Sequence, residues 1–346
     1  MRDLKVIAID LAKHVYQVCV IDRRGRMVSN RSMNRRQLAD FLANQPQARV
    51  AMEACSGAHH WGRKAEGFGH DVVLIPPRQV RPYRQGHKTD GNDALAIGIA
   101  ARQPGLKTVG VKSLDQQSVQ GDKRVQEHLS DQLTATGNLI RSLLAEFGLL
   151  IPKGPAALKR EVPKLLAEAD NGLPVGVRES LQLAWEQWQA LMASVRQSER
   201  IVTSRSRQLE RCERLTALEG VGAKNAVGLY VAIGRGDQFA NGREASACIG
   251  LTPKQASSGG KTVLKGIGKF KGNQRLRSSL IVGARSAVNS LMKREPRNTK
   301  ERWLKSMIER RGPGRAAVAL ANKNVRTAWA MLHANTTYQP ETLAAH

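Results

Sequence analysis

Aromatic side chains make up only 4% of this 346-residue chain, so its core must be built mainly from aliphatic residues and alanine. Cysteine is scarcer still. Cys19, Cys55, Cys212 and Cys248 stand apart with no C-x-x-C pair, which argues against a zinc knuckle or a disulfide framework and suits reduced, mostly buried thiols. No run approaches the roughly 20 apolar residues that cross a bilayer. The first apolar run already contains Asp10, which does not suit a signal peptide, so a cytoplasmic location and no membrane partner are expected. The most telling scarcity is negative charge, with 29 acidic residues against 55 Lys and Arg for a net charge of +26.

That surplus is concentrated. Residues 251–330 hold 19 Lys and Arg but only Glu295, Glu301 and Glu309 on the acidic side, a local excess of 16. A polyphosphate partner follows, because each phosphate neutralised by a cation releases condensed counterions. A solvated basic surface or an anionic membrane are the competing readings. The basic residues accompany Gly and Ser turns, not a basic amphipathic helix, which favours nucleic acid. Lys261, Lys265, Lys269, Lys271, Arg275 and Arg277 are the candidate phosphate contacts.

The length suits two or three domains. In residues 1–110, β-rich runs at 4–10, 15–21 and 26–33 precede a helix at 34–43 opened by Asn34, an N-cap type residue. A strand at 49–54, a helix at 59–67, a strand at 72–75 and a helix near 92–102 follow. Three strands, a helix, then alternating strand and helix is the order of an RNase H-like α/β fold, although composition alone does not separate it from other α/β layouts. Residues 111–213 change character. Few breakers interrupt 113–147, and after a Pro- and Gly-rich loop Leu181, Trp188, Val195, Val202 and Leu209 recur every seven residues, one stripe on a long helix. Two long helices suggest an antiparallel coiled-coil arm packed on itself or on another subunit. Residues 214–346 are expected to be mainly helical. In them Leu218-Glu219-Gly220-Val221-Gly222 reads as a helix-hairpin-helix-like element. There Gly220 and Gly222 would let backbone N–H groups approach a phosphate, or would simply turn the chain between two core helices.

Asp10 ends the first strand, Glu53 lies within the fourth, and Asp90 and Asp93 open the last helix of the α/β region. Acids on otherwise buried strands are unfavourable unless paired or metal-bound, and acids three apart share a helix face. Singly, each could be a cap or a turn residue. Together they form an oxygen-only set suited to a hard divalent cation, Mg²⁺ above all, which can clamp the attacking and leaving oxygens of a phosphodiester. In the most basic stretch, Ser257 and Ser258 precede Gly259 and Gly260. A serine exposed on such a turn could attack phosphorus, whereas the plainer reading is a flexible or phosphate-binding loop. His59 and His60 suit local hydrogen bonding better than an all-carboxylate Mg²⁺ site. Tyr83 lacks the Arg and His company of a tyrosine nucleophile, and a phosphate or base contact is the better reading.

Taken together, A-I-D at 8–10, M-E-A-C-S-G at 52–57, K-T-D-G-N-D-A at 88–94, L-L-A-E-F-G at 143–148, the hairpin at 218–222 and G-L-T-P-K-Q-A-S-S-G-G at 250–260 resemble the DEDD-type transposases of bacterial insertion sequences, the bridge-RNA-guided serine recombinases. The resemblance spans nearly the whole chain. It implies a RuvC-like catalytic domain at 1–110, a helical coiled-coil arm at 111–213 and a C-terminal transposase domain at 214–346. It implies an acidic tetrad of Asp10, Glu53, Asp90 and Asp93 holding Mg²⁺. The nucleophile it implies is Ser258, the serine directly before glycine, with Ser257 as second choice, forming a covalent phosphoserine link to DNA at a site shared between domains. The implied partners are double-stranded target and donor DNA, a structured non-coding guide RNA, and further copies of the chain as a dimer or tetramer. Residues 117–136 carry fewer basic residues than that family's arm. Two rival functions remain at this stage: a RuvC-like structure-selective nuclease using the acids alone, and a non-catalytic nucleic-acid-binding protein.

Overall fold

A computed structural model describes residues 4–258, 260–268 and 272–340. The chain divides into two compact units, one made of residues 4–117, 233–248 and 329–336 and the other of 118–232, 249–328 and 337–340. Compactness thus groups the chain differently from the consecutive regions 1–110, 111–213 and 214–346.

The first unit is built on a five-stranded sheet of order β3-β2-β1-β4-β5. Strands β1 (Val6–Leu11), β2 (Tyr16–Ile21) and β3 (Met27–Met33) form an antiparallel meander, and β4 (Arg49–Glu53) and β5 (Asp71–Ile75) add in parallel beside β1. These strands lie within two residues of the expected runs. Side chains alternate across a strand. Ile7, Ile9, Val50 and Met52 face a core filled by Leu38 and Leu42 of α1 (Arg35–Ala43) and by Trp61 and Ala65 of α2 (Ala58–Gly67). Asn34 caps α1 as its sequence predicts, in a reciprocal box with Gln37. Val6, Ala8 and Ala51 face the opposite layer, together with Val80 of α3 (Pro77–Val80) and Ala94, Ile97 and Ala100 of α4 (Asp90–Ala100). Helix α4 begins two residues before the expected start because Thr89 caps it, its hydroxyl accepting from the Asn92 N–H at 3.3 Å.

The second unit contains most of α5 (Leu114–Ala145), then α6 (Pro155–Ala167) and α7 (Val175–Gln208). Helices α5 and α7 run antiparallel. A Cβ on Gly137 would lie 3.1 Å from the Trp188 indole nitrogen, while Asp122 and Arg205 approach to 3.6 Å. Ile140 and Leu144 of α5, Leu158 and Val162 of α6, and Leu181, Trp185 and Trp188 of α7 form one apolar cluster. The first part of the seven-residue stripe is therefore covered within this chain. Val202 is also buried, Val195 is half-buried, and Leu209 falls just beyond the helix. The Pro- and Gly-rich loop proves to contain α6, since Pro155 suits a first helical turn and burial of Leu158 and Val162 holds the helix despite Pro163 inside it.

Short helices α8 (Glu210–Leu215), α9 (Ala223–Ile233) and α10 (Gly242–Ile249) precede an antiparallel hairpin of β6 (Pro253–Ser258) and β7 (Lys261–Ile267). This corrects the reading of 250–260 as a loop with its serines on the turn. Ser257 pairs with Thr262 and Ser258 with Lys261 in the ladder, so both serines stand at the end of a strand. Helices α11 (Gln274–Leu291), α12 (Thr299–Arg311) and α13 (Pro313–His333) complete the chain.

Candidate active site

Alternation along the strands decides where the first two acids go. Ala8 and Ala51 face the α4 layer, and the same two-residue period carries Asp10 and Glu53 to that face. Parallel register pairs Ile9 with Met52, so the next residues, Asp10 and Glu53, emerge side by side at the strand ends. Asp90 and Asp93 occupy the first turn of α4, where the helix dipole favours negative charge. That turn is pinned to the sheet, since the Asn30 side-chain amide of β3 donates to the Gly91 carbonyl at 2.9 Å. A second constraint sits farther along α4: a Cβ on Gly98 would lie 2.5 Å from Ile21 Cδ1 and 3.2 Å from Ala8 Cβ. Only glycine lets the helix lie this close to β1 and β2.

Asp10, Glu53 and Asp93 line one cavity of about 720 Å³. Burial, followed by the charges of Asp93 and Asp90, raises the Asp10 carboxyl above its ordinary value. Burial, followed by Asp10 and Asp93, does the same for Glu53. Excess negative charge has gathered there, partly offset by Arg84, whose guanidinium lies 3.5 Å from Asp93, and by the field of Lys88. Among the described residues no three His, Cys, Asp or Glu side chains stand close enough together to hold a metal ion as placed. The donor chemistry nevertheless fits a hard divalent cation: every donor is a carboxylate oxygen, and burial together with mutual repulsion raises Asp10 and Glu53.

The neighbouring polar residues have other duties. His59 accepts from the Lys112 backbone N–H at 3.2 Å, and His60 lies 3.2 Å from Arg35, so both histidines are engaged locally. Tyr83 packs against the apolar cluster beneath α4, which gives its ring a structural role. The residues missed in the sequence are the cations sharing the cavity with the acids: Arg78, Arg81, Arg84 and Lys88. Their signal was present in R-Q-V-R-P-Y-R at 78–84, a three-residue spacing of arginines read only for its tyrosine.

In the second unit the predicted phosphate contacts separate. Ser257, Lys261 and Lys265 are exposed on the β6–β7 hairpin, whereas the Ser258 side chain, Lys269 and Lys271 lie outside what is described. Arg275 is paired with Asp131 at 2.5 Å. Arg277 is a correction: it is buried and donates to the Gly268 carbonyl at 2.5 Å, because the chain entering α11 needs a donor there. Gly220 has φ +77°, and a Cβ on it would lie 2.4 Å from the Gly283 carbonyl oxygen. Its smallness serves this backbone contact with α11. Gly222 precedes α9, its carbonyl accepting from the N–H groups of Asn225 and Ala226 at 2.9 Å each.

Comparison with known proteins bears on the whole chain. A family model described as Transposase matches residues 7–148, and one described as Transposase IS116/IS110/IS902 family matches residues 212–299. The transposase for insertion sequence element IS1111A of Coxiella burnetii is 38% identical over 98% of this chain and 92% of its own length. A probable family 20 transposase of Pseudomonas aeruginosa is 40% identical over 98% of this chain and 99% of its own. The transposase for insertion sequence element IS1328 of Yersinia enterocolitica is 32% identical over 98% and 99%. With a mixed α/β sheet carrying the acids and a mainly helical remainder, the chain belongs to the IS116/IS110/IS902 family of insertion-sequence transposases.

Proposed function

We propose that this transposase is an RNA-guided DNA recombinase that moves its element by serine transesterification. The observation that carries the chemistry is the convergence of Asp10, Glu53 and Asp93 on one cavity, with Asp90 in the same first turn of α4 as Asp93. Mg²⁺, held by Asp10, Glu53, Asp90 and Asp93, would supply Lewis-acid stabilisation of charge on the phosphoryl oxygens. Ser258 is the nucleophile. Its Oγ loses a proton and attacks phosphorus, the bond from phosphorus to the sugar oxygen breaks, and the released sugar oxygen takes a proton. The phosphoserine ester keeps the energy of the broken linkage, so attack by a hydroxyl of the incoming strand rejoins DNA and regenerates the serine. Ser257 is the alternative nucleophile and otherwise supports its neighbour. Gly222, Lys261, Lys265, Lys269 and Lys271 contact phosphates, with Gly220 shaping the hairpin.

In this reading residues 1–110 are the RuvC-like catalytic region, 111–213 the arm and 214–346 the serine-bearing region. The partners are target and donor DNA, a structured guide RNA encoded with the element, and further copies of the chain as a dimer or tetramer. No helix among the described residues is long and apolar enough to cross a membrane, and the reading places the enzyme in the cytoplasm with the DNA.

The deciding experiment is a denaturing gel of the reaction on nicked or suicide DNA substrates, followed by mass spectrometry of any attached peptide. The expected adduct is on Ser258 and disappears in Ser258→Ala, which keeps nucleic-acid binding. Attachment at Ser257 shifts the register by one, attachment at Tyr83 overturns the mechanism, and active cleavage with no adduct gives the case to the nuclease.

A further inference from the structure

The cavity that holds the acids is also lined by basic side chains. Strands β1, β4 and β5 are parallel to one another, so their C-terminal ends share one edge of the sheet. Asp10 and Glu53 emerge at that edge, and there the chain also leaves β5 and enters α3, followed by a 3₁₀ turn at Arg81–Tyr83. This segment is firmly seated. Val80 is buried in the cluster under α4, Tyr83 packs beside it, and the Gln79 side chain accepts from the Lys107 N–H at 3.1 Å. Pro77 and Pro82 restrict its backbone further. With Val80 and Tyr83 turned inward, Arg78, Arg81 and Arg84 recur every three residues on the exposed side, and all three line the carboxylate cavity.

Arg84 is occupied with Asp93. Among the described residues Arg78 and Arg81 enter no ion pair, so neutralising the acids does not account for them. A phosphodiester approaching three carboxylates is repelled, and a strand can occupy the cavity only if cations lining it offset that repulsion. Arginine suits that task, since its planar fork binds phosphate oxygens in pairs. We infer that Arg78, Arg81 and Arg84 form a ridge that grips the phosphate backbone of the DNA strand entering the carboxylate cavity. This rests on the reading that the cavity is where phosphodiester chemistry occurs. Arg84 has two partners available, Asp93 and a strand phosphate, and a cation taking its place among the acids would free it for the second.

The test uses full-length protein and a fluorescein-labelled 20-nucleotide oligothymidylate, with oligouridylate of equal length as the RNA arm. EDTA is present throughout, so that binding is read apart from turnover. For Arg78→Ala/Arg81→Ala the salt dependence of binding to DNA should become shallower by about 1.4 log units per log unit of salt, roughly 0.7 for each lost phosphate contact. Arg78→Lys/Arg81→Lys keeps the charge and should retain the wild-type slope. Arg23→Ala/Arg24→Ala, on the exposed turn between β2 and β3, is the control for general loss of charge. Melting temperatures verify folding, which exposed arginines do not threaten.

An unchanged DNA slope, or an equal change in the control pair, overturns the ridge. A change confined to oligouridylate also overturns it, because the surface then serves RNA. Transposition by Asp90→Ala and Asp93→Ala is scored separately. Full activity there removes the active-site reading, whereas an unchanged slope in Arg78→Ala/Arg81→Ala removes the ridge alone.

Discussion

Gly98 offers a way to displace the acids of α4 without touching them. Carbon atoms in contact sit about 3.5–4.0 Å apart, whereas a Cβ at position 98 would meet Ile21 Cδ1 at 2.5 Å. Either that methyl swings away or α4 lifts from the sheet by about 1 Å. Ile21 is buried at the end of β2, and Ala8 Cβ, 3.2 Å from the new atom, has no rotamer to change, so part of the strain must go into the helix. Overpacking of this kind costs about 1–3 kcal/mol, while replacing a helical glycine by alanine returns up to about 1 kcal/mol. Gly98→Ala should therefore lose only about 0–2 kcal/mol of stability. Activity should fall much further, because Asp90 and Asp93 ride on the displaced helix and a ~1 Å misplacement of reacting groups can cost about 100-fold. Urea unfolding gives the first quantity and a plasmid excision assay the second. Ile21→Val removes the Cδ1 atom, so the double variant Ile21→Val/Gly98→Ala should recover most of the lost activity. Wild-type excision by Gly98→Ala, or a double variant no better than the single, would refute the close approach of α4 as the device that positions the acids.

Three further outcomes follow from the same fold. Burial and neighbouring carboxylates raise Asp10 and Glu53 above their ordinary values, so the folded chain holds these protons more tightly than the unfolded one. Stability should therefore fall as pH rises from the ordinary carboxylate range through the raised folded values, and recover on acidification. Asp10→Asn should flatten this dependence in EDTA, read as urea midpoints between about pH 4 and 7, and a wild-type pH dependence in that variant would count against the clustering. Trp188 is buried and stacks on Trp185 at 5.1 Å, so Trp188→Ala should cost about 3–5 kcal/mol in urea unfolding without lowering oligomer mass. A drop in mass at full stability would instead place the stripe between subunits. Lys300 is buried against Glu219, with Asn324 accepting from it at 2.9 Å, so Lys300→Met strands a carboxylate in the hairpin and should cost about 3–5 kcal/mol. A loss below about 1 kcal/mol, the range of exposed pairs, would show that solvent screens this one.

Hydrophobic periodicity was sufficient for the α/β region. The apolar run V-I-A-I-D at 6–10 identifies the strand and Asn34 marks a helix start through a side chain that caps locally, whereas the cap of Thr89 went unread and the start of α4 was placed two residues late. Asp10 and Glu53 could be singled out because a carboxylate on a buried strand is costly enough to need a reason. Local pattern failed where the deciding contact lies far along the chain. P-K-Q-A-S-S reads as a loop because its residues are small and polar, yet it becomes β6 because 261–267 supplies a matching ladder. Helix α6 forms despite Pro163 because α5 and α7 cover Leu158 and Val162.

Charge was the least local property of all. The sequence by itself determined an excess of cations, since that is a sum over residue types. Where each cation ends up was decided by tertiary structure: Arg277 turns inward to a backbone carbonyl, Arg275 closes on Asp131, and Arg78, Arg81 and Arg84 line the cavity of the acids. The reason is that electrostatic energy depends on distance and burial, and neither exists until the strands have brought their ends to one edge.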